Sequence, residues 1–481
     1  MTVTGSVPRA GLSALAGLSA PAGLSAPAGL ELASAAITGW GGGPRAPVTI
    51  VRPRSAAILR RSLAGGDPAL TTAMQAGAIV RGMGRSYGDA AVRSGGLVID
   101  TTALRGLELD ALAGEITAQA GATLGELLAA SAPAGWTLPT VPGTQHVTLG
   151  GAIASDVHGK NHAAVGTFGS HVRALGLLTA DGEVSELTPE SDGELLRATI
   201  GGMGLTGVIL WARITLRPLT SPRLAVDVER VGSLDQALAA LQRTGGPHRV
   251  AWLDLLGTEP VRGVVTRAEH LDDGDLKDAA RLVTVRARAG LRPGWPGSLL
   301  QTPVVRAHNT LRLLASRPGD HVEAFGRHMF PLDVLNGWPR LYGREGFIQY
   351  QLVLPRGEEL ALEMIITRLR ASGVPCYLAV LKDFGPGNEA PLSFPMAGWT
   401  LAMDLPRGAP GLAALTRHWD ELVAARGGRV YLTKDSCLEP DLLGVMYPRL
   451  DDWRAVRDRA DPERRWRSDL SDRVGLVQGA R

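Results

Sequence analysis

The chain is short of the residues that build covalent or metal-held frameworks. Only Cys376 and Cys437 occur among its 481 residues, with no CxxC pair and no His and Cys cluster at metal spacing. A disulfide scaffold is thereby excluded, no metal is expected, and a reducing compartment fits best. No apolar run reaches the roughly 18 residues that a spanning helix needs, and the N-terminus lacks the order of basic, apolar and cleavage regions of a signal peptide. Charge of one sign is also scarce. Lys and Arg number 50 against 47 Asp and Glu, a net of +3, and they are scattered without interleaved aromatics, so no nucleic-acid partner is expected. The slightly basic balance suits anionic ligands or an anionic membrane surface. What remains, 45% hydrophobic and 20% charged residues, is the composition of a soluble globular protein. The length exceeds what one hydrophobic core fills, which predicts two or three lobes.

Residues 10 to 26 repeat AGLSA three times. Such a stretch cannot bury enough apolar surface to offset chain entropy, so residues 1–34 are expected to be a disordered tail, with order beginning near Ile37 to Trp40. From Val48 onward, short apolar runs alternate with helical patterns, which indicates mixed α and β structure. Strands are predicted at Ala78 to Arg81, Leu97 to Asp100, Glu115 to Ala120 and Val208 to Leu216, a helix at Thr123 to Ser131, and a hairpin over Val172 to Leu187 turning at Asp181-Gly182. A helix around Glu194 to Thr199 precedes GGMGLTG. This first lobe spans 35–221. A second lobe, 222–427, has strands at Val250 to Leu256 and Ile348 to Leu354 and a helix at Glu358 to Ser372. The C-terminal segment 428–481, with Tyr431, Lys434 and Trp453, is expected to close back on the first lobe.

Three glycine-bearing segments carry the functional signal. VRGMGRSYGDA, from Val80 to Ala90, follows a buried strand. Its glycines would let backbone N–H groups approach a diphosphate, although it is not the Rossmann fingerprint, because no amphipathic helix follows and the third Gly falls late. PGTQHVTLGGAIASDVHGKNH, from Pro142 to His162, is too Gly-rich for a stable core helix and too apolar for a solvated linker, which suggests that it wraps a ligand. GGMGLTG, Gly201 to Gly207, supplies a third cradle. Together they suit an extended dinucleotide carrying an isoalloxazine ring.

These motifs resemble the FAD-binding lobe of the vanillyl-alcohol-oxidase type flavoproteins, most closely the oxidase subunits of the decaprenylphosphoryl-β-D-ribose 2-epimerase family. The similarity continues through IQYQLVLP, LKDFGPGNEAPLSFP, YLTKDS and MYPRLDDW, and so covers nearly everything from Thr38 to about Leu470. The resemblance implies an α+β fold, with a two-lobed FAD-binding domain of the PCMH type and a substrate domain built on an antiparallel sheet. It implies FAD contacts at Val80, Arg81, Gly82, Met83, Gly84, Arg85, Ser86, Tyr87, Gly88, Asp89 and Ala90, at Gly143, at Thr148, Leu149, Gly150 and Gly151, at Ser155, Asp156, Val157 and His158, and at Ile209 and Tyr431. Arg85 stands where many relatives with covalent flavin have a histidine, so the FAD is expected to be non-covalent. The guanidinium is either a diphosphate partner or a solvated surface group.

For catalysis the resemblance points to Lys434, Tyr87 and His158. An ammonium at Lys434 would stabilise a developing oxyanion, whereas the polar YLTKDS turn by itself reads as surface. His158 reads equally as a structural residue bonded to a loop carbonyl. For substrate it points to Gln349, Gln351, Lys382, Thr400, Ala402 and Lys434. Gln349 and Gln351, two apart in a strand, share one face. Thr400 and Ala402 replace the amide and thiol of the family's GWN-x-C motif, which changes pocket polarity without removing a group that hydride transfer needs. The expected reaction is oxidation of the ribose C2 hydroxyl of decaprenylphosphoryl-ribose, the first half of epimerisation to the arabinose donor for cell-wall synthesis. A separate keto-reductase would complete it, and the expected location is the cytoplasm or the periphery of the plasma membrane, with the periplasmic side left open. Alditol or aldonolactone oxidation is the alternative, and a non-catalytic binding protein that has kept the fold is a third reading.

Overall fold

Small and apolar side chains running from Leu32 to Ile37 make an edge strand, paired antiparallel with Ala46–Val51 from Leu32↔Val51 to Ile37↔Ala46. This is a feature of a computed structural model that describes residues 32–65, 68–256, 261–291 and 297–478. The strand corrects the expected tail boundary: residues 32–34 are ladder-bonded, and the AGLSA repeats lie outside the described residues. Ala46–Val51 pairs in parallel with Leu97–Asp100, which pairs in parallel with Ala78–Arg81. All four residues of Leu97–Asp100 are buried, as expected for a parallel strand covered on both faces.

The second layer is an antiparallel five-stranded sheet in the order Leu107–Asp110, Glu115–Gln119, Val208–Thr215, Val172–Leu178, Val184–Leu187. The predicted hairpin and its turn are in place. The helix Leu124–Ser131 starts at a capping box in which the Thr123 hydroxyl accepts from the Glu126 N–H while the Glu126 carboxylate takes the Thr123 N–H. The segment Pro189–Thr199 is two helical pieces separated by non-helical Asp192 (φ −147°, ψ 74°): a short turn capped by Thr188, then the predicted helix around Glu194 to Thr199, where the Asp192 carboxylate accepts from the Leu195 N–H.

The second lobe is an eight-stranded antiparallel sheet. Its order is Gly319–Ala324, Arg223–Val231, Arg262–His270, His248–Asp254, Leu378–Phe384, Gly398–Pro406, Phe347–Pro355, Arg429–Val430. The central strands Phe347–Pro355 and Gly398–Pro406 are buried along almost their whole length. Helices Glu359–Ser372 and Leu412–Ala425 pack on one face. The other face turns toward the first lobe and carries the polar side chains of the site.

The C-terminal residues tie the chain back to the first lobe. Ala78 N–H donates to the Arg465 carbonyl and Arg467 N–H to the Ala78 carbonyl, both at 2.8 Å. Trp453 Nε1 donates to the Ala198 carbonyl at 2.9 Å. The fully buried Arg457 bonds Asp461 and the carbonyls of Leu205 and Trp466. No helix among the described residues is long and apolar enough to cross a membrane.

Candidate active site

A cavity of about 1620 Å³ lies between the lobes, lined by all three glycine-bearing segments and by the inner face of the eight-stranded sheet. In the first loop, Met83, Gly84, Arg85 and Ser86 line the wall, and their four consecutive backbone N–H groups make no hydrogen bond among the described residues. Successive free N–H groups form an anion-binding concavity. Close packing explains the glycines: a Cβ on Gly82 would sit 2.1 Å from Thr148 Oγ1, and one on Gly88 1.8 Å from the Asp435 carbonyl oxygen. Gly143, by contrast, faces open space on the cavity wall.

The second segment holds a helix that the glycine content argued against. Leu149–Ala154 forms because Thr148 caps it, accepting from the Gly151 N–H, while Gly150 packs against Ala120. From the third segment, Met203, Gly204 and Gly207 reach the wall, with Met203 held at φ 55° and bonded to the Ala154 carbonyl.

Of the residues expected to contact FAD, Arg81, Gly88, Asp89, Leu149 and Asp156 stand off the wall. The Arg81 guanidinium is spent on the carbonyls of Thr38 and Ala91. Asp89 forms a fork with Arg473, and Leu149 is core. Asp156 is buried against Gly169 N–H, Asn388 and Ser393, tying the Gly-rich segment to the second lobe. Val80, Tyr87, Ala90, Gly151, Ser155, Val157, His158, Ile209 and Tyr431 do line the cavity. Arg85 lies 3.6 Å from the Trp40 ring centroid, with its buried Nε unpartnered. This is a wall position, so the solvated-surface alternative does not hold.

The YLTKDS turn is fixed on two sides. Tyr431 N–H donates to the Gln351 carbonyl and Tyr87 N–H to the Thr433 carbonyl, while the Tyr431 hydroxyl donates to the Ser155 carbonyl at 2.7 Å. Lys434 therefore points into the cavity, its Nζ 5.3 Å from the Tyr87 ring centroid. Burial lowers its pKa to about 8, with Asp404 pulling the other way. Burial raises Asp404 to about 7, opposed by the Gln349 amide and by Lys434. The two titrations belong to the pair. The Tyr87 phenol is pushed far up, chiefly by burial, and stays protonated.

Antiparallel register brings the substrate-side residues together. Gln351 faces Ala402 and Gln349 faces Asp404 across one ladder; Lys382 faces Thr400 across the next. His158 sits over them, its Nε2 at 3.1 Å from the Gln351 amide nitrogen and its Nδ1 at 3.1 Å from Lys382 Nζ. Burial and the lysines hold the imidazole well below its ordinary pKa, so it carries one N–H and both neighbours cannot donate. With the Gln351 amide donating to both His158 Nε2 and the Thr400 hydroxyl, Nδ1 carries the hydrogen and meets Lys382 as the neutral amine that its burial favours. His158 thus bonds the side chains of Gln351 and Lys382, and a backbone bond at Gly159 acts on its ring as well. Thr400 is one layer behind the wall, donating to the Leu352 carbonyl and accepting from Gln351. Lys382 has no carboxylate partner among the described residues, and burial followed by Lys434 and Lys160 lowers its proton affinity. Asp404 is the residue that the sequence reading missed. Its signal was present, because Thr400, Ala402 and Asp404 alternate on one face of a strand.

Residues 68–188 match the FAD binding domain family. Over 449 residues the chain is 37% identical to decaprenylphosphoryl-beta-D-ribose oxidase of Mycolicibacterium smegmatis, covering 88% of this chain and 96% of that one. It is 25% identical to L-gulono-1,4-lactone dehydrogenase of Mycobacterium tuberculosis over 89% of this chain and 96% of that one. It is 32% identical to L-gulonolactone oxidase of Bos taurus over 29% of this chain and 31% of that one. The fold and the backbone cradle, with these relatives, define an FAD-dependent oxidoreductase. The chain belongs to the decaprenylphosphoryl-β-D-ribose oxidase family.

Proposed function

We propose that the protein oxidises the ribose C2 hydroxyl of decaprenylphosphoryl-β-D-ribose to the ketone, leaving a separate keto-reductase to complete epimerisation toward the arabinose donor for cell-wall synthesis. The observation that carries this reading is Lys382: a buried lysine without a carboxylate partner among the described residues, its proton affinity lowered by burial, beside two glutamine side chains on the cavity wall. An anion entering beside such a lysine restores its charge and pairs with it, and a sugar phosphate supplies one where a lactone or alditol does not.

The residues present fit FAD. The free N–H groups of Met83 to Ser86 and the Arg85 guanidinium would hold its diphosphate, with Gly143, Thr148 to Gly151 and Ile209 bounding the rest and Tyr431 beside the ring. Arg85, in the place of the histidine that carries flavin in many relatives, leaves the cofactor non-covalent; acid precipitation should release all yellow colour into the supernatant. When bound, FAD supplies the two-electron acceptor for the hydride leaving C2.

The chain's own residues handle the proton and the orientation. Lys434 Nζ makes no hydrogen bond among the described residues, and burial brings its pKa near neutrality, where a lysine can act as a base. It takes the hydroxyl proton, and the Asp404 carboxylate stabilises the resulting ammonium. The ammonium formed in that step keeps the expected positive charge of Lys434 beside the substrate oxygen. Gln349 and Gln351 orient the sugar hydroxyls, Lys382 meets the phosphate, and His158 fixes Gln351 and Lys382. The Tyr87 ring packs beside Lys434 and excludes water. A lipid substrate favours work at the periphery of the plasma membrane, on its cytoplasmic or its periplasmic side.

Trapping the product with borodeuteride tests the reaction: deuterium at ribose C2 is expected, and deuterium elsewhere, or none, would contradict it. The near-full-length alignment with the lactone dehydrogenase favours a second reading, oxidation of an aldonolactone or alditol. Hydrogen peroxide release with gulonolactone or sorbitol, and none with the lipid phosphoribose, would select it.

A further inference from the structure

More than half of the exposed large apolar side chains among the described residues fall between residues 299 and 334. The helix Thr302–Ala315 is the centre of this region. Its inward face is narrow: Val305 and Asn309 are buried, and Leu313 packs partly on the core. On a 3.6-residue repeat, Val304, Ala307, Leu311 and Leu314 share the opposite face. Val304, Leu311 and Leu314 are 60%, 65% and 64% exposed. A surface helix ordinarily turns its polar face to water; this one turns a second apolar stripe outward, flanked by Arg306 and His308, while Arg312 lies toward the inward side over the Trp252 ring.

The stripe is continuous with the cavity mouth. Arg312 and Ala315, at the helix's end, line that mouth, as do Arg286, Arg288, Arg317 and Arg327. None of these last four makes an ion pair among the described residues. Of the nearby acids, Glu323 bonds His328, and Asp333 takes the Thr144 hydroxyl and the Gln145 N–H, so that Asp320 is the exposed carboxylate set against these arginines on the cavity lining. Exposed Leu332 and Val334 stand on the same rim. An apolar stripe flanked by Arg306 and His308, beside an arginine-ringed opening, is the chemistry of a helix lying in the headgroup region of an anionic bilayer.

We infer that this face docks the protein on an anionic lipid bilayer, with the stripe of Thr302–Ala315 inserted and the cavity mouth held against the headgroups. Resting on the lipid-substrate reading above, it gives that substrate a route: the phosphoribose enters past the arginines while the prenyl chain stays in the membrane. Val322, 57% exposed on the edge strand Gly319–Ala324, adds apolar area beside the mouth.

The test uses full-length holoenzyme and substrate-free vesicles of phosphatidylcholine, with and without phosphatidylglycerol. The wild-type protein should sediment with the anionic vesicles, and the triple variant Val304→Ser, Leu311→Ser, Leu314→Ser should bind them at least about tenfold more weakly. None of the three lines the cavity, so both proteins should oxidise a short-chain, water-soluble prenylphosphoribose at the same rate. Equal vesicle binding by the triple variant would overturn the inference. So would a wild-type dimer that the triple variant converts to monomer without loss of vesicle binding, since a second copy of the chain would then be the occupant. Vesicle binding lost in the variant while neither protein oxidises the soluble substrate would support the surface and remove only the substrate reading.

Discussion

Lys434 Nζ stands in a cavity with its proton affinity lowered by burial and partly restored by Asp404. A base must be unprotonated to act, so kcat/KM should rise with pH through about 8 and level off above it. Asp404→Asn removes the charge that favours the ammonium, so this limb should move to lower pH in a pH–rate profile. Lys434→Met should lower kcat roughly 10²- to 10⁴-fold while leaving the bound flavin spectrum in place. Lys382 acts on binding: a hydrogen bond to a charged group contributes about 1.5–3 kcal/mol, so Lys382→Met should raise KM roughly 10- to 150-fold. Steady-state kinetics with an unphosphorylated riboside should show no such change. Ala402 on the wall, in place of the family's cysteine, leaves no thiol for a reactive ligand to capture there.

Among the elements, the contact between the first glycine loop and the YLTKDS turn holds the cavity wall at Met83 to Ser86 and Lys434 in one frame. Gly88→Ala would put a methyl group 1.8 Å from the Asp435 carbonyl and push the two apart; weaker FAD retention on gel filtration and lower turnover are expected together. Much at this scale was legible in the sequence. Buried strands such as Leu97–Asp100 read directly as apolar runs, and the hairpin at Asp181-Gly182 follows from turn chemistry. The helix Leu149–Ala154 was not legible, because propensity counts glycine against a helix while tertiary packing on Ala120 requires it. The cavity-facing side of Gln349 and Gln351 follows from strand alternation. Asp404 could be placed on the face of Thr400 and Ala402 by alternation, but its pairing with Gln349 depends on register across a ladder of distant residues, and Asp156 was misassigned because its glycine-rich context resembles a cofactor loop while its carboxylate serves an interlobe tie.

For the molecule as a whole, we propose a division into an FAD-binding lobe over 35–221, a substrate lobe over 222–427 and a C-terminal segment that returns to the first. The return depends on Arg457, buried with Asp461 and bonded to carbonyls of both segments. Removing one partner of a buried pair costs about 3–5 kcal/mol, so Arg457→Met should lower Tm markedly and release FAD during purification, as read by calorimetry and flavin absorbance. The account as a whole requires one cavity in which a phosphorylated sugar meets both the flavin and Lys434. Anaerobic stopped-flow mixing of the holoenzyme with a polyprenyl-phosphoribose, followed at about 450 nm, tests this most directly. Saturable bleaching by that substrate, slowed severely in Lys434→Met and absent with gulonolactone or sorbitol, is the predicted result; bleaching by the lactone or alditol alone would contradict it.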